Sequence, residues 1–318
     1  FPSVVAKRGK NKTDIGLIAG KEDYVVSIWF PGKNSNHLAV GDLALQMNGT
    51  RAWEEDFVRN QNLIVLMSVA IAILNDSLQH VQLAAGLPMA HYRRQKSAVK
   101  EMLQGLEVNV TVEGRRSIQR KVQISDLQLY PQAAGAYYSQ VLSLDGRVQD
   151  TALANRSVGV LDIGYRTTDL LVMQRGRKGL TPREDLIGGL DLGVSTALQA
   201  LKEQADELTG GNIPLTWLEQ SILWNDGKLD YRGKSFDLAV YQQETYESLA
   251  GRIMQAVKQR WGQEMDRLAC VLIAGGGGQL LYPYLRRDIP QSRLAEDAFF
   301  ANARGFLAAQ ALMMRLMA

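Results

Sequence analysis

The chain has 318 residues, and 36 Lys and Arg against 33 Asp and Glu leave a formal charge of +3, too weak to make nucleic acid or an anionic membrane an expected direct partner. The length suggests about two domains, each with enough apolar material for its own core. A single cysteine, Cys270, rules out an intrachain disulfide, the longest apolar run (Leu63 to Leu74) is too short to span a bilayer, and no positive-then-apolar leader opens the chain, so a cytoplasmic protein is expected.

In chain order, Tyr24 to Phe30 is rich in β-branched and aromatic residues and reads as a strand, closed by a turn at Pro31-Gly32-Lys33-Asn34. Leu38 to Leu45 reads as a strand end running into a helix, and residues 61–79 as a long, largely buried helix. Val81 to Pro88 reads as a strand, Arg93 to Gly105 as an amphipathic helix stopped by its glycine, and 106–124 as a hairpin around Gly114. A helix follows Pro131, and turn chemistry at 144–157 marks a boundary. Beyond it come strands at 158–162 and 169–173 around a six-residue turn. Helices follow at 193–208, 215–223 and 241–263, then a strand from Leu268 to Ala274 and a last helix from Ala298 to Met317. Strands and helices alternate throughout, so the class is α/β.

Three segments carry chemistry. Asp162-Ile163-Gly164-Tyr165-Arg166-Thr167-Thr168-Asp169 puts an acid at the end of an apolar strand, then a glycine and two threonines. Such a turn aims backbone N–H and hydroxyl groups at one point, and the acid suits hydrated Mg²⁺, which accepts one or two carboxylates. An ordinary hairpin with Asp and Gly as turn formers fits the same letters. Cys270 to Gly278 runs a buried strand into four glycines, clearing side chains from a βα turn so that a flat ring or phosphate can lie against backbone; a flexible turn is the alternative. Leu129 to Ala136 places Pro131 at a helix start and Gln132 just inside it, suited to orienting a water or simply to facing solvent. His37, His80 and His91 lack metal-ligand spacing, no G-x-S-x-G or P-loop string occurs, and Cys270 reads as a core residue.

Taken together and in this order, these segments resemble the nucleotide fold shared by actin, Hsp70 and sugar kinases. Within it the chain is similar to plasmid-segregation actins of the ParM type from bacteria and archaea. Phe1-Pro2-Ser3, Val40-Gly41-Asp42-Leu43-Ala44 and Ala85-Gly86-Leu87-Pro88 resemble the family's N-terminal domain, and Pro131-Gln132 its first connecting segment. Asp162 to Asp169 resembles its second phosphate hairpin, and Gly189-Leu190-Asp191-Leu192-Gly193 a turn and helix start near the nucleotide. Gly275 to Gly278 resembles the adenosine loop, and Ala301-Asn302-Ala303-Arg304-Gly305 the C-terminal helix.

The resemblance implies an actin-like, duplicated ribonuclease H-like fold with a nucleotide cleft between two domains. Domain I would span 1–150, with 298–318 returning to it, and domain II would span 151–297. It implies ATP and Mg²⁺ as ligands, Asp162 as the catalytic acid holding Mg²⁺ through water, and Gln132 positioning the attacking water. It puts Gly164, Tyr165, Thr167 and Thr168 at the phosphates, Gly189 and Gly193 near the nucleotide, and Gly275, Gly276, Gly277 and Gly278 at the adenosine. It also implies self-association into filaments governed by ATP hydrolysis. These would serve plasmid or DNA segregation or cytoskeletal organisation through a DNA-binding adaptor, without direct nucleic-acid or membrane contact. The alternative is a non-polymerising superfamily member: a small-molecule kinase or phosphatase, or a chaperone-like nucleotide binder. One part of the pattern departs. The family's first phosphate hairpin, an acid-glycine turn with a downstream Lys, is expected ahead of Phe1-Pro2-Ser3, and Asp14-Ile15-Gly16 is the nearest string but has no apolar strand before it.

Overall fold

The computed structural model describes residues 3–8, 23–32, 35–51, 60–74, 80–113, 117–177 and 179–317. The Asp14-Ile15-Gly16 string, the 33–34 half of the first turn, the 75–79 end of the long helix and the Gly114 turn lie outside them. The chain forms two compact units, one of residues 1–83 and 97–127, the other of 84–96 and 128–318.

The elements of the first part of the chain are β1 (Val4–Lys7), β2 (Asp23–Trp29), β3 (Asn36–Gly41), α1 (Asp42–Gln46), β4 (Thr50–Arg51), α2 (Gln61–Leu74), β5 (His80–Leu87), α3 (Met89–Leu103), β6 (Glu107–Glu113) and β7 (Ile118–Pro131). The strands form a sheet in the order β4-β1-β3-β2-β6-β7-β5. Antiparallel pairing sets Val26 opposite Val112, Ile28 opposite Val110, and Val108 opposite Val122. The two-residue alternation of these strands turns the valines and Ile28 to one face, where α2 covers them with Val65, Leu66, Val69 and Ala72. The β6–β7 hairpin agrees with the sequence reading, but β7 runs on to Pro131. Helix α3 begins at Met89, before the Arg93 expected from amphipathic spacing, and Gly105 beyond its end has φ +80, the left-handed geometry that favours glycine.

The second unit is built on α4 (Gln132–Val141), β8 (Val158–Ile163), β9 (Thr168–Gly176), β10 (Gly179–Pro182), β11 (Gly188–Leu190), α5 (Val194–Thr209), α6 (Leu215–Trp224), β12 (Lys228–Tyr231), β13 (Lys234–Asp237), α7 (Ala239–Trp261), β14 (Cys270–Ala274), α8 (Gly275–Asp288), β15 (Ser292–Leu294) and α9 (Ala301–Met317). Its sheet runs β10-β9-β8-β14-β15, with β11 also on β9; β8, β14 and β15 are parallel and β8–β9 antiparallel. Both faces are buried, so β8 up to Asp162 and the whole of β14 are apolar runs. Leu161, Ile163, Leu170, Val271 and Ile273 face α7 and α8. Val158, Val160, Leu171, Leu272 and Ala274 face α4 and α9. A smaller core under α5, α6 and the β12–β13 hairpin gathers Leu201, Ala205, Ile213, Leu218, Leu229 and Leu238.

Helices α4 and α9 meet through glycines: a Cβ on Gly305 would lie 1.7 Å from the Gly135 carbonyl oxygen. Phe306 of α9 stacks on Tyr130 at a centroid distance of 5.7 Å. Helix α9 therefore packs along α4, and residues 128–150 belong to the same compact unit as the second sheet.

Candidate functional site

The two acids of the 162–169 segment end up side by side. Asp162 is next to last in β8, and antiparallel register sets it directly opposite Asp169 of β9. Both are buried, and both point to the face that α4 and α9 cover. Asn302 of α9 donates from Nδ2 to Asp162 Oδ2 at 2.7 Å, while its own Oδ1 is buried with no partner. The backbone N–H of Met89, first residue of α3, donates to both oxygens of Asp169 at 3.1 Å. Asp169 thereby caps α3, favoured by the helix dipole as well as the hydrogen bonds, and this fixes where that helix starts. Burial pushes the Asp162 carboxyl above its ordinary range, opposed by the Asn302 bond. Burial, then the charge of Asp162, push Asp169 well above, opposed by the Met89 N–H. Two acids so placed suit a proton or a cation between or beside them.

The turn between β8 and β9 is four residues, 164–167, because Ile163 and Thr168 pair within the ladder; this is tighter than the six-residue turn expected. Gly164 N–H donates to the Thr167 carbonyl at 2.8 Å and closes it. The start of α5 holds it from outside: Val194 N–H donates to Gly164 O at 3.2 Å, and Ser195 N–H to Tyr165 O at 2.7 Å. Gly193, the N-cap of α5, sits so close that a Cβ would lie 2.6 Å from Tyr165 O. Thr168 is fully buried, and its hydroxyl donates to Leu192 O at 2.7 Å. That hydroxyl, which the resemblance would put at the phosphates, is bonded to the Leu192 carbonyl in this structure and ties the turn to the chain ahead of α5. Gly189 pairs with Asp169 in β11, within a strand and not a turn.

The four glycines form no loop: Gly275 to Gly278 are the first turn of α8, directly after β14. Gly275 has φ +81, and a Cβ there would lie 2.2 Å from Ile163 O and 2.7 Å from Asp162 Oδ1, so only glycine fits. Its N–H donates to Ala298 O at 2.9 Å. The helix start is thus pressed against the end of β8 beside Asp162, with the exposed Phe299 edge next to Gly276. The first N–H groups of a helix have no intrahelical acceptor and point outward from its end, which suits an anionic ligand.

Gln132 is the first residue of α4, with Pro131 just before it in extended geometry, φ −64 and ψ 135. Its neighbours Ala133 and Ala136 pack on Val158 and Val160, on the Asp162 face of the sheet. Among the described residues its amide makes no side-chain hydrogen bond, so it is uncommitted. The structure therefore gathers Asp162, Gly164, Tyr165, Thr167, Thr168, Gly189, Gly193 and Gly275 to Gly278 around the ends of β8, β9 and β14. Among the described residues no cluster of three or more His, Cys, Asp or Glu forms. The Asp162–Asp169 pair nonetheless fits Mg²⁺, which takes one or two carboxylates and keeps its waters. Sequence reasoning missed three contributors: Asp169 as capping acid, Asn302, and Glu219 of α6, whose Oε1 accepts the Tyr165 hydroxyl at 2.5 Å. Asp169 stood inside the quoted segment, and Asn302 in the terminal motif; Glu219 carried no local signal.

An α/β sheet whose strand-end acids meet a tight hairpin and a glycine-started helix is what the actin-like resemblance leads one to expect, and the comparisons show that fold. The family described as actin-like proteins, N-terminal domain, matches residues 1–135, and the archaeal actin homologue MreB-like C-terminal family matches 160–287. An archaeal actin homologue of Thermoplasma acidophilum is 26% identical over 228 residues, a match spanning 70% of this chain and 66% of the relative. A ParM from Clostridium botulinum solved as a 15-stranded filament superposes with a TM-score of 0.79 at 24% identity, covering 96% of this chain and 91% of that one. An archaeal actin homologue crystallised with ADP superposes at 0.72 with 22% identity, covering 91% of each chain. The two parts of the chain thus match two families of actin-like proteins, and the fold is the actin-like fold of the ParM structures.

Proposed function

We propose that this chain binds ATP with Mg²⁺ at the β8–β9 turn and the start of α8, hydrolyses it, and assembles into nucleotide-dependent filaments. The observation that carries the reading is buried Asp162, tied to Asn302 and set beside Asp169 where the 164–167 turn and the glycine start of α8 meet. The filament of the Clostridium ParM and the ADP complex of the archaeal homologue support it by likeness. In this reading Asp162 assists attack on the γ-phosphate and holds Mg²⁺ through water, with Asp169 beside it. Mg²⁺, when bound, supplies neutralisation of phosphate charge. Gln132, with its uncommitted amide, orients the attacking water. Backbone N–H groups of Tyr165 and Thr167 take the phosphates, Gly164 closes the turn that presents them, and Gly189, Gly193 and Gly275 to Gly278 shape the space around the nucleotide. Thr168 acts by holding the turn. Phosphoryl transfer asks for such positioning more than for covalent chemistry.

The filaments would serve plasmid or DNA segregation or cytoskeletal organisation in the cytoplasm, with a DNA-binding adaptor joining them to cargo. The halves of the molecule would be 1–150, with 298–318 returning to it, and 151–297. Sedimentation of the full chain at tens of micromolar, with and without ATP and Mg²⁺, tests assembly; interfaces of roughly −6 to −7 kcal/mol show in that range. Pelleting that depends on ATP is expected. A chain that turns over ATP yet stays monomeric is instead a non-polymerising member of the superfamily.

A further inference from the structure

The 164–167 turn is held twice by the same small module. At its base, Val194 and Ser195 of α5 donate to the carbonyls of Gly164 and Tyr165. At its tip, the Tyr165 hydroxyl reaches across to Glu219 Oε1 at 2.5 Å, and Glu219 is a buried carboxylate on α6. Helices α5 and α6 share the core of Leu201, Ala205, Ile213 and Leu218, so the two attachments belong to one packed body. Burying a carboxyl group is costly unless hydrogen-bond partners meet it, and the Tyr165 hydroxyl is such a partner. An apolar residue at 219 would have packed the helix without that cost. Two residues before Glu219 and five after it, α6 carries Trp217 and Trp224, 37% and 46% exposed.

We propose that Glu219 is a positioning residue for the nucleotide site, setting the conformation of the 164–167 turn through Tyr165, so that nucleotide on the turn and the packing of α6 control one another. The inference rests on the nucleotide reading given above. Reciprocity is required: if the state of α6 changes nucleotide affinity, nucleotide changes the state of α6 by the same free energy. A bond serving architecture alone would leave the two independent.

The test uses the full-length chain with ADP and Mg²⁺ as the probe. It combines calorimetric affinity with hydrogen exchange of the α6 backbone amides, measured with and without nucleotide. In the parent, nucleotide is expected to slow exchange in α6. Tyr165→Phe, which removes only the hydroxyl, is expected to weaken binding roughly tenfold and abolish that slowing. Glu219→Leu should reproduce both effects, and the double variant should be no worse than either single one, because the two side chains act as a unit. Glu219→Gln keeps an acceptor for the phenol and should restore most of the parent's behaviour. Should Glu219→Leu fail to fold, Tyr165→Phe still decides. If the parent binds nucleotide and Tyr165→Phe matches it in affinity and in α6 protection, the coupling is refuted while the site stands. A parent that binds no nucleotide refutes the proposed function and this inference together.

Discussion

At the scale of single residues, the site is dominated by two buried carboxyls on adjacent strands. Asp169 has its carboxyl raised well above the ordinary 3.8 by burial first and by Asp162 second. Between the unfolded value and the raised native one, the native state therefore holds a proton that the unfolded chain has released. Stability from this source is fully present below the unfolded value and is lost as pH rises through the raised native one. Thermal melts of the nucleotide-free parent are expected to fall across that window, and Asp169→Asn, which cannot ionise, to show a flatter profile and to overtake the parent at neutral pH. An equal pH dependence in the two proteins would show that Asp169 is ionised throughout. Thr168 gives a second expectation. Thr168→Val keeps the shape but strands the Leu192 carbonyl, so unfolding in urea should show a loss of about 1–3 kcal/mol, with a matching loosening of the turn.

At the scale of elements, glycines mark where backbones touch. Gly305→Ala forces a Cβ against the Gly135 carbonyl and should cost about 1–3 kcal/mol by prising α9 from α4. Gly251, inside α7 with nothing within 4 Å of its Cβ position, makes the opposite case: Gly251→Ala should stabilise by roughly 0.5–1 kcal/mol. Paired urea melts check both signs. The same elements show what was legible in the sequence. β8, β14, α5, α6 and α7 were readable because apolar runs and helical spacing are local signals. The glycine start of α8 was read as a turn because glycine is a poor helix former. Its helical geometry comes from tertiary contact with Ile163 and Ala298. β11, β12, β13 and β15 are three or four residues long, too short for a period to show. Of the site, Asp162 and its turn were legible as a motif. Asn302 and Glu219 were not, since their partners lie 140 and 54 residues away in sequence.

At the scale of the whole molecule, family matches to the N-terminal and C-terminal parts of actin-like proteins fall on the two stretches of chain that build the two sheets. Among the described residues no helix is long and apolar enough to cross a membrane. The central claim is that the strand-end acid of the second sheet makes this actin-like chain a nucleotide hydrolase. Phosphate release from ATP in the presence of Mg²⁺, by the parent and by Asp162→Ala, with circular dichroism confirming the fold of each, tests it most directly. The account predicts steady release by the parent and a loss of at least about 10²-fold in the variant. Parent-like release by a folded Asp162→Ala protein would contradict it.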